Sequence, residues 1–184
     1  MDDIIMDEQL IEKVVDEESI YEGKIVHLHL MRVTLPSGKP GIREIVRHVN
    51  ASAVVAVDEN NNVLLVRQFR APIEQILLEI PAGKLDSVDE DRLLAAKREL
   101  KEETGLEAEN WLHLTDTFTT PGFSNERISL YLARDLHQGE TCPDEDEFLN
   151  LVKLPFREAL DMVLRGEIRD AKPQIALCMA SHLI

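Results

Sequence analysis

Residues 83–106 read GKLDSVDEDRLLAAKRELKEETGL, and the core of that stretch, Arg98-Glu99-Leu100-Lys101-Glu102-Glu103-Thr104-Gly105, packs three carboxylates into two helical turns. Positions three and four apart on a helix share a face, so Glu99, Glu102 and Glu103 converge on an arc of about 100°. Like charges at that spacing repel and destabilise an isolated helix. A hard divalent cation among the oxygens reverses the sign, and Mg²⁺ is the ion commonly held by a few carboxylates plus substrate phosphates. A charge run is otherwise a solvated face; the surrounding sequence separates the two readings. Residues 76–80, ILLEI, read as a buried strand, and Pro81, Ala82 and Gly83 turn the chain. Asp86, Ser87 and Asp89 offer N-caps for a helix starting near Val88, and Gly105 suits its left-handed stop. Strand, turn, acidic helix and glycine stop together predict metal-assisted chemistry on a phosphate compound.

The rest of the chain narrows what can surround that unit. Its 184 residues suit one domain of ordinary size with a substantial core. A net charge of −15 argues against a nucleic-acid surface. The acidic residues 1–19 lack the pattern of a secretory signal, and no apolar run is long enough to span a bilayer. Cys142 and Cys178 offer neither a disulfide framework nor metal-ligand spacing, so a soluble cytoplasmic protein is expected. Residues 21–35 alternate as a strand and turn through 36–41 into a second strand at 42–48. His27 and His29 share one side of it, as an exposed or partner-facing surface. Residues 53–57 and 63–69 form a second hairpin around 58–62. Beyond the acidic helix, strands are expected at 111–118, 128–133 and 148–154. Pro155 then opens a helix to Arg165, and a mostly apolar helix closes the chain at 170–184, with Ile175, Leu177, Met179 and Leu183 as core or interface. This order predicts an α/β/α sandwich around a mixed sheet.

The segment at 83–106 resembles the Nudix box: a Gly, five residues, Glu, seven residues, then Arg-Glu-apolar-x-Glu-Glu-x-Gly-apolar. From Glu90 onward the match is complete, through Arg98, Glu99, Leu100, Glu102, Glu103, Gly105 and Leu106. Six residues, not five, separate Gly83 from Glu90, so strict counting puts Asp89 in the Glu position. Tyr21-Glu22-Gly23-Lys24, the turn Leu35-Pro36-Ser37-Gly38, Arg43-Glu44, Val66-Arg67-Gln68-Phe69-Arg70 and Leu78-Glu79-Ile80-Pro81-Ala82-Gly83 resemble the ADP-ribose pyrophosphatase branch. So does Pro121, sixteen residues after Gly105. The resemblance implies a Nudix domain over 49–184 and an N-terminal antiparallel β extension over 1–48 that serves dimerisation and substrate contact.

By the same resemblance, the activity is hydrolysis of ADP-ribose to AMP and ribose 5-phosphate, with Mg²⁺ or Mn²⁺ as cofactor. Glu99 and Glu103 would be the principal metal ligands, Glu102 would share the site, and the carbonyl of Ala82 would complete it. Arg98 would orient a box carboxylate. Glu145, in the acidic run 144–147, matches the branch's catalytic glutamate on a mobile loop, with Glu147 next and a box glutamate, Glu102 or Glu103, as the other choice. Arg70 resembles the phosphate-binding arginine, Glu44 the residue that accepts from the adenine amino group, and Glu126 the one that holds the terminal ribose hydroxyls. Arg43 and Pro121 complete the substrate set, and Phe123 stacks or packs. The implied partners are a small-molecule substrate and a second copy of the chain, because the 21–48 hairpin is too small to bury both faces and symmetric pairs are common. Two other readings stand beside this one: a Nudix pyrophosphatase for another nucleoside diphosphate sugar, a dinucleotide or an oxidised nucleotide, and a non-catalytic ADP-ribose sensor. The intact box glutamates speak against the sensor.

Overall fold

The computed structural model of the protein describes residues 10–139 and 149–184. The chain divides into two compact units. The smaller comprises residues up to His48 together with Thr120–Glu126; the larger comprises Val49–Thr119 and Arg127–Ile184.

The smaller unit is a three-stranded antiparallel sheet of β1 (Lys13–Glu22), β2 (His27–Thr34) and β3 (Pro40–Arg47) in that order. The first strand lies in the acidic leader, where none was expected. Its sequence, KVVDEESIYE, is exposed at every position, so no period-two burial pattern marks it. The expected strand over 21–35 is also corrected: it breaks at Gly23, whose N–H donates to the Val26 carbonyl at 2.9 Å, and resumes at His27. Ile25 and Val26 therefore sit in a turn. The expected hairpin supplies two strands, β2 and β3, of a three-stranded sheet, and three strands are a sturdier unit than two. His27 pairs with Glu22 and His29 with Glu17, as polar groups of the sheet surface. The segment Thr120–Glu126 is tied to β3: Val46 donates to the Phe123 carbonyl at 2.7 Å, and Val46 and Ser124 form an isolated parallel bridge.

The larger unit is built on a seven-stranded mixed sheet. Its path runs β10 (Leu149–Pro155), β5 (Asn62–Arg70), β4 (Ala51–Val57), β9 (Arg127–Gln138), β8 (Leu106–Phe118). Two short strands branch from it: β6 (Gln75–Glu79) on β5 and β7 (Ala82–Lys84) on β4. Among the described strands of this sheet, only β4 and β9 pair in parallel. Every residue of β4 is buried, which fits its sequence ASAVVAV: a strand covered on both faces needs no polar alternation. Ala53, Val55 and Val57 face one core with α2 (Phe156–Leu164) and α3 (Ala171–Ala180), through Phe156, Ala159, Ala176 and Leu177. Val54 and Ala56 face the other, with Ala96 and Leu100 of α1 (Arg92–Thr104). The unit is thus an α/β/α sandwich, as the sequence order predicts. Leu100 is fully buried, and truncating it to Ala would cost about 2–5 kcal/mol.

Pro155 stands at the N-cap of α2, just ahead of the first turn expected for it, and the closing helix expected over 170–184 is the shorter α3, with Asp170 as its cap. Within α3, Leu177 is core and Met179 is exposed; Leu183, beyond the end of the helix, is exposed too. Residues 76–80 are not the buried strand expected: β6 leaves Gln75 and Ile76 exposed and buries only Glu79 at its end, because it pairs with β5 alone among the described strands. Among the described residues no helix is long and apolar enough to cross a membrane.

Candidate active site

The acidic helix begins later than its candidate caps suggested. Asp91, in extended conformation, caps α1 by accepting from the N–H groups of Leu93 and Leu94 at 2.9 and 3.0 Å. Asp86, Ser87 and Asp89 lie in the loop before it, because Glu90 folds back and accepts from the Asp86 N–H at 2.6 Å. Gly105 ends the helix at φ 70°, a left-handed position that glycine adopts without strain, and its N–H returns to the Lys101 carbonyl.

On α1, Glu99 and Glu103 fall on the buried side with Ala95, Ala96 and Leu100, and Glu102 is half-buried. Glu99 lies directly against the backbone of β7. A Cβ on Gly83 would fall about 1.4 Å inside ordinary contact with the Glu99 carboxylate, so the carboxylate occupies a cradle that exists only because Gly83 has no side chain. Arg98 gathers the charges: its guanidinium donates to Glu99 at 2.7 Å, Glu102 at 3.0 Å and the Lys84 carbonyl at 3.0 Å, and more weakly to Glu90 at 3.4 Å. Burial presses the Arg98 pKa down, but the bonds to Glu99, Glu90 and Glu102 outweigh it and hold the group above the ordinary arginine range. Arg98 therefore clamps the box glutamates, the preceding loop and β7 together.

A second ionic cluster lies at the ends of β5 and β6. Glu79 is fully buried. Arg70 donates to both its oxygens, through Nε and Nη2, each at 2.6 Å, and Lys172 of α3 donates to Oε2 at 2.8 Å. Burial pushes the Glu79 carboxyl up; the two cations more than offset this and hold it below the usual range. The Arg70 pKa is raised, chiefly by Glu79, with the fields of Asp170 and Glu103 adding to it. Arg70 thus stands within the electrostatic reach of the box helix. Sequence reasoning missed the roles of Glu79 and Lys172. Glu79 reads as an odd polar residue in an apolar strand, which is a usable signal; Lys172, 93 residues away from it, gives none.

The remaining candidates are in the smaller unit. Arg43 pairs with Glu12 and donates to the Ile42 carbonyl at 2.9 Å. Glu44 is exposed on β3, opposite Leu30. Pro121 and Phe123 are exposed in the loop tied to β3, and Glu126 contacts the His48 ring at 3.3 Å. Arg43, Glu44, Pro121 and Glu126 thus belong to one unit, and Ala82, Glu99, Glu102, Glu103 and Arg70 to the other. Glu145 and Glu147 lie outside the described residues.

Residues 46–176 match the NUDIX domain. The chain belongs to the Nudix family. It is 44% identical over 168 residues, 90% of each chain, to the methanol dehydrogenase activator of Bacillus methanolicus. It is 40% identical over 168 residues, again 90% of each chain, to the ADP-ribose pyrophosphatase of Bacillus subtilis. The GDP-mannose pyrophosphatase of Yersinia enterocolitica is 33% identical over 142 residues, 71% of this chain and 73% of its own. A solved structure described as that of an ADP compounds hydrolase superposes with a TM-score of 0.81. It covers 94% of this chain and 93% of its own, at 23% identity, which speaks to the fold.

Nudix hydrolases generally work with divalent metal ions, and the donor chemistry of this Nudix box suits one. Glu99, Glu102 and Glu103 are hard oxygen donors, and the Gly83 cradle holds the Glu99 carboxylate against the β7 backbone. Among the described residues no three His, Cys, Asp or Glu side chains converge as a ready-made cage; Arg98 supplies the counter-charge at Glu99 and Glu102. An ion that takes one or two carboxylates and completes its shell with substrate phosphates and water needs no such cage. The extra residue between Gly83 and Glu90 is absorbed in the loop. It is Glu90, not Asp89, that binds the loop backbone and contacts Arg98, so the register of the box helix is undisturbed.

Proposed function

We propose that this Nudix hydrolase cleaves the pyrophosphate bond of ADP-ribose, giving AMP and ribose 5-phosphate. The observation that carries the chemistry is the pair of buried carboxylates, Glu99 and Glu103, on a capped helix, with Arg98 clamping the box and Arg70 in the field of Glu103. Glu99, Glu102 and Glu103, with the Ala82 carbonyl, would hold Mg²⁺ or Mn²⁺, which when bound neutralises pyrophosphate oxygens and makes a water more acidic. Arg70 binds phosphate oxygens through its planar fork. Water adds to one phosphorus, the bridging P–O bond breaks, and the proton leaves to a carboxylate: Glu145, or else Glu147 or a box glutamate. Glu44 and Glu126 read the adenine amino group and the terminal ribose hydroxyls, with Arg43 and Pro121 beside them.

The substrate assignment is supported by the ADP-ribose pyrophosphatase relative and by Pro121 and Glu126. The GDP-mannose pyrophosphatase relative marks the nearest rival. Purified protein with Mg²⁺ is assayed on ADP-ribose, GDP-mannose and a nucleoside triphosphate, with the products identified. The ratio of kcat/KM values reports differential transition-state stabilisation. ADP-ribose is expected to give the highest value; a higher value for either competitor defeats the substrate assignment and leaves the Nudix chemistry standing. Calorimetric binding of ADP-ribose without turnover would favour the sensor.

The functional unit in this reading is a homodimer in the cytoplasm. Tyr21 and Ile42 share one face of the three-stranded sheet with Leu28 and Leu30, and both are large, apolar and more than half exposed, a surface that suits a second copy. The low cysteine count suits a reducing compartment. Sedimentation at micromolar concentration tests the dimer: a fully active monomer refutes it.

A further inference from the structure

Glu79 has no exposure to solvent, and its two oxygens take three charged hydrogen bonds. Its two cations differ in kind. Arg70 is on the rim, with 39% of its side chain exposed, and it spends two of its three guanidinium nitrogens on Glu79. Lys172 is interior, with 12% of its side chain exposed. It is fixed between Glu79 at 2.8 Å and Asp170 at 3.0 Å, in the first turn of α3, where Asp170 also caps the Lys172 N–H. A neighbouring tie, from the Arg169 guanidinium to the Gln75 side chain at 2.6 Å, anchors the approach to α3 on β6. The cluster of Glu79, Asp170, Arg70 and Lys172 carries two negative and two positive charges.

That arrangement sets a condition on any anion that engages Arg70. If the guanidinium turns its fork from Glu79 to phosphate, a buried carboxylate is left behind, and an uncompensated buried charge is strongly unfavourable. A second cation already in contact removes most of that penalty. We propose that Lys172 is a positioning residue that keeps Glu79 neutralised when Arg70 exchanges from Glu79 to the pyrophosphate of the substrate. The inference rests on the reading of Arg70 as the phosphate-binding arginine. Lys172 does not touch the substrate; it sets how readily Arg70 is released.

The test uses Lys172→Met, which keeps much of the side-chain bulk and removes the charge, with Lys172→Arg, Glu79→Gln and the Glu79→Gln/Lys172→Met double variant. Binding of inorganic pyrophosphate in Mg²⁺ is measured by calorimetry, and KM and kcat for ADP-ribose are measured alongside. Lys172→Met should weaken pyrophosphate binding by about tenfold or more and raise KM more than it lowers kcat, because Arg70 is held on Glu79 in the free protein. Lys172→Arg should restore most of the affinity. Adding Glu79→Gln to Lys172→Met removes the charge that needs compensation, so the double variant should bind pyrophosphate more tightly than Lys172→Met alone, a coupling that a double-mutant cycle reads directly. A general packing role for Lys172 predicts the opposite, with the double variant no better than either single one. Lys172→Met binding pyrophosphate within twofold of wild type, or no relief from Glu79→Gln, overturns the inference. Wild type that binds pyrophosphate but leaves ADP-ribose intact refutes the substrate reading alone. Wild type that fails to bind pyrophosphate overturns both.

Discussion

Gly83→Ala isolates the cradle under Glu99. The backbone at Gly83 is outside the left-handed region, so alanine meets no conformational penalty there. What it meets is the Glu99 carboxylate, with all three terminal atoms inside ordinary contact and the closest by about 1.4 Å. The carboxylate is the movable partner, being the end of a side chain, so the fold survives. Overpacking of this kind costs about 1–3 kcal/mol, and the lower chain entropy of alanine in the unfolded state returns about 0.4–1 kcal/mol. With a flexible group giving way, the net cost should be near the low end, about 1 kcal/mol, or a fall in Tm of about 2–4 °C for a chain of this length. The effect on function should be larger. A misplacement of about 1 Å can cost about 100-fold in rate, so kcat/KM in saturating Mg²⁺ should fall by about two orders of magnitude. The assay pairs thermal unfolding with steady-state hydrolysis, for Gly83→Ala, Glu99→Gln and the double variant. If alanine acts by displacing Glu99, the double variant is no worse than Glu99→Gln alone. Gly83→Ala retaining more than half of the wild-type kcat/KM, or fully additive losses in the double variant, would refute the argument.

Glu103→Gln should lower hydrolysis by about two orders of magnitude, the scale on which losing one charge-stabilising group acts. It should also leave Tm unchanged or raised, since it relieves like-charge repulsion on α1; near wild-type turnover at saturating Mg²⁺ rules out its site role. Asp91→Ala removes the cap of the box helix and should cost about 1 kcal/mol in urea unfolding, while Asp86→Ala, outside the helix, should cost far less. Asp58, 5% exposed, closes the turn between β4 and β5 by accepting from Asn60, Asn62 and Lys153. Burial raises its pKa, but those bonds outweigh this and bring it down to about 2, from an ordinary 3.8. A folded-state value below the unfolded one stabilises fully above about pH 4 and fades as the pH falls toward 2. Asp58→Asn should therefore cost about 1–2 kcal/mol at pH 7, allowing for solvent screening at Lys153, with the gap from wild type narrowing between pH 4 and pH 2; a constant gap contradicts the assignment.

The sequence by itself determined the acidic helix, its glycine stop and the layered order of strands and helices. These are local facts: three carboxylates at helical spacing, a glycine where the helix must stop, and apolar runs separated by turn residues. The resemblance to the Nudix box also implied that Arg98 orients a box carboxylate; Glu102, four residues on, is its helical neighbour, whereas the contact with the adjacent Glu99 is made in the folded site. The helix start was less legible, because the loop before it holds several acidic residues able to cap, and the choice of Asp91 followed from Glu90 folding back onto the Asp86 backbone. The strand in the leader was invisible for a related reason: a fully exposed strand has no hydrophobic period, and its pairing with β2 supplies the order. Tertiary structure alone decided which charges share an environment. The Gly83 cradle requires β7 to pass beneath α1, and the sequence records only a glycine. The Glu79 cluster joins the ends of two strands to a helix more than ninety residues away, a closeness set by the sandwich, where layers pack because they are apolar and bring their polar edges into register.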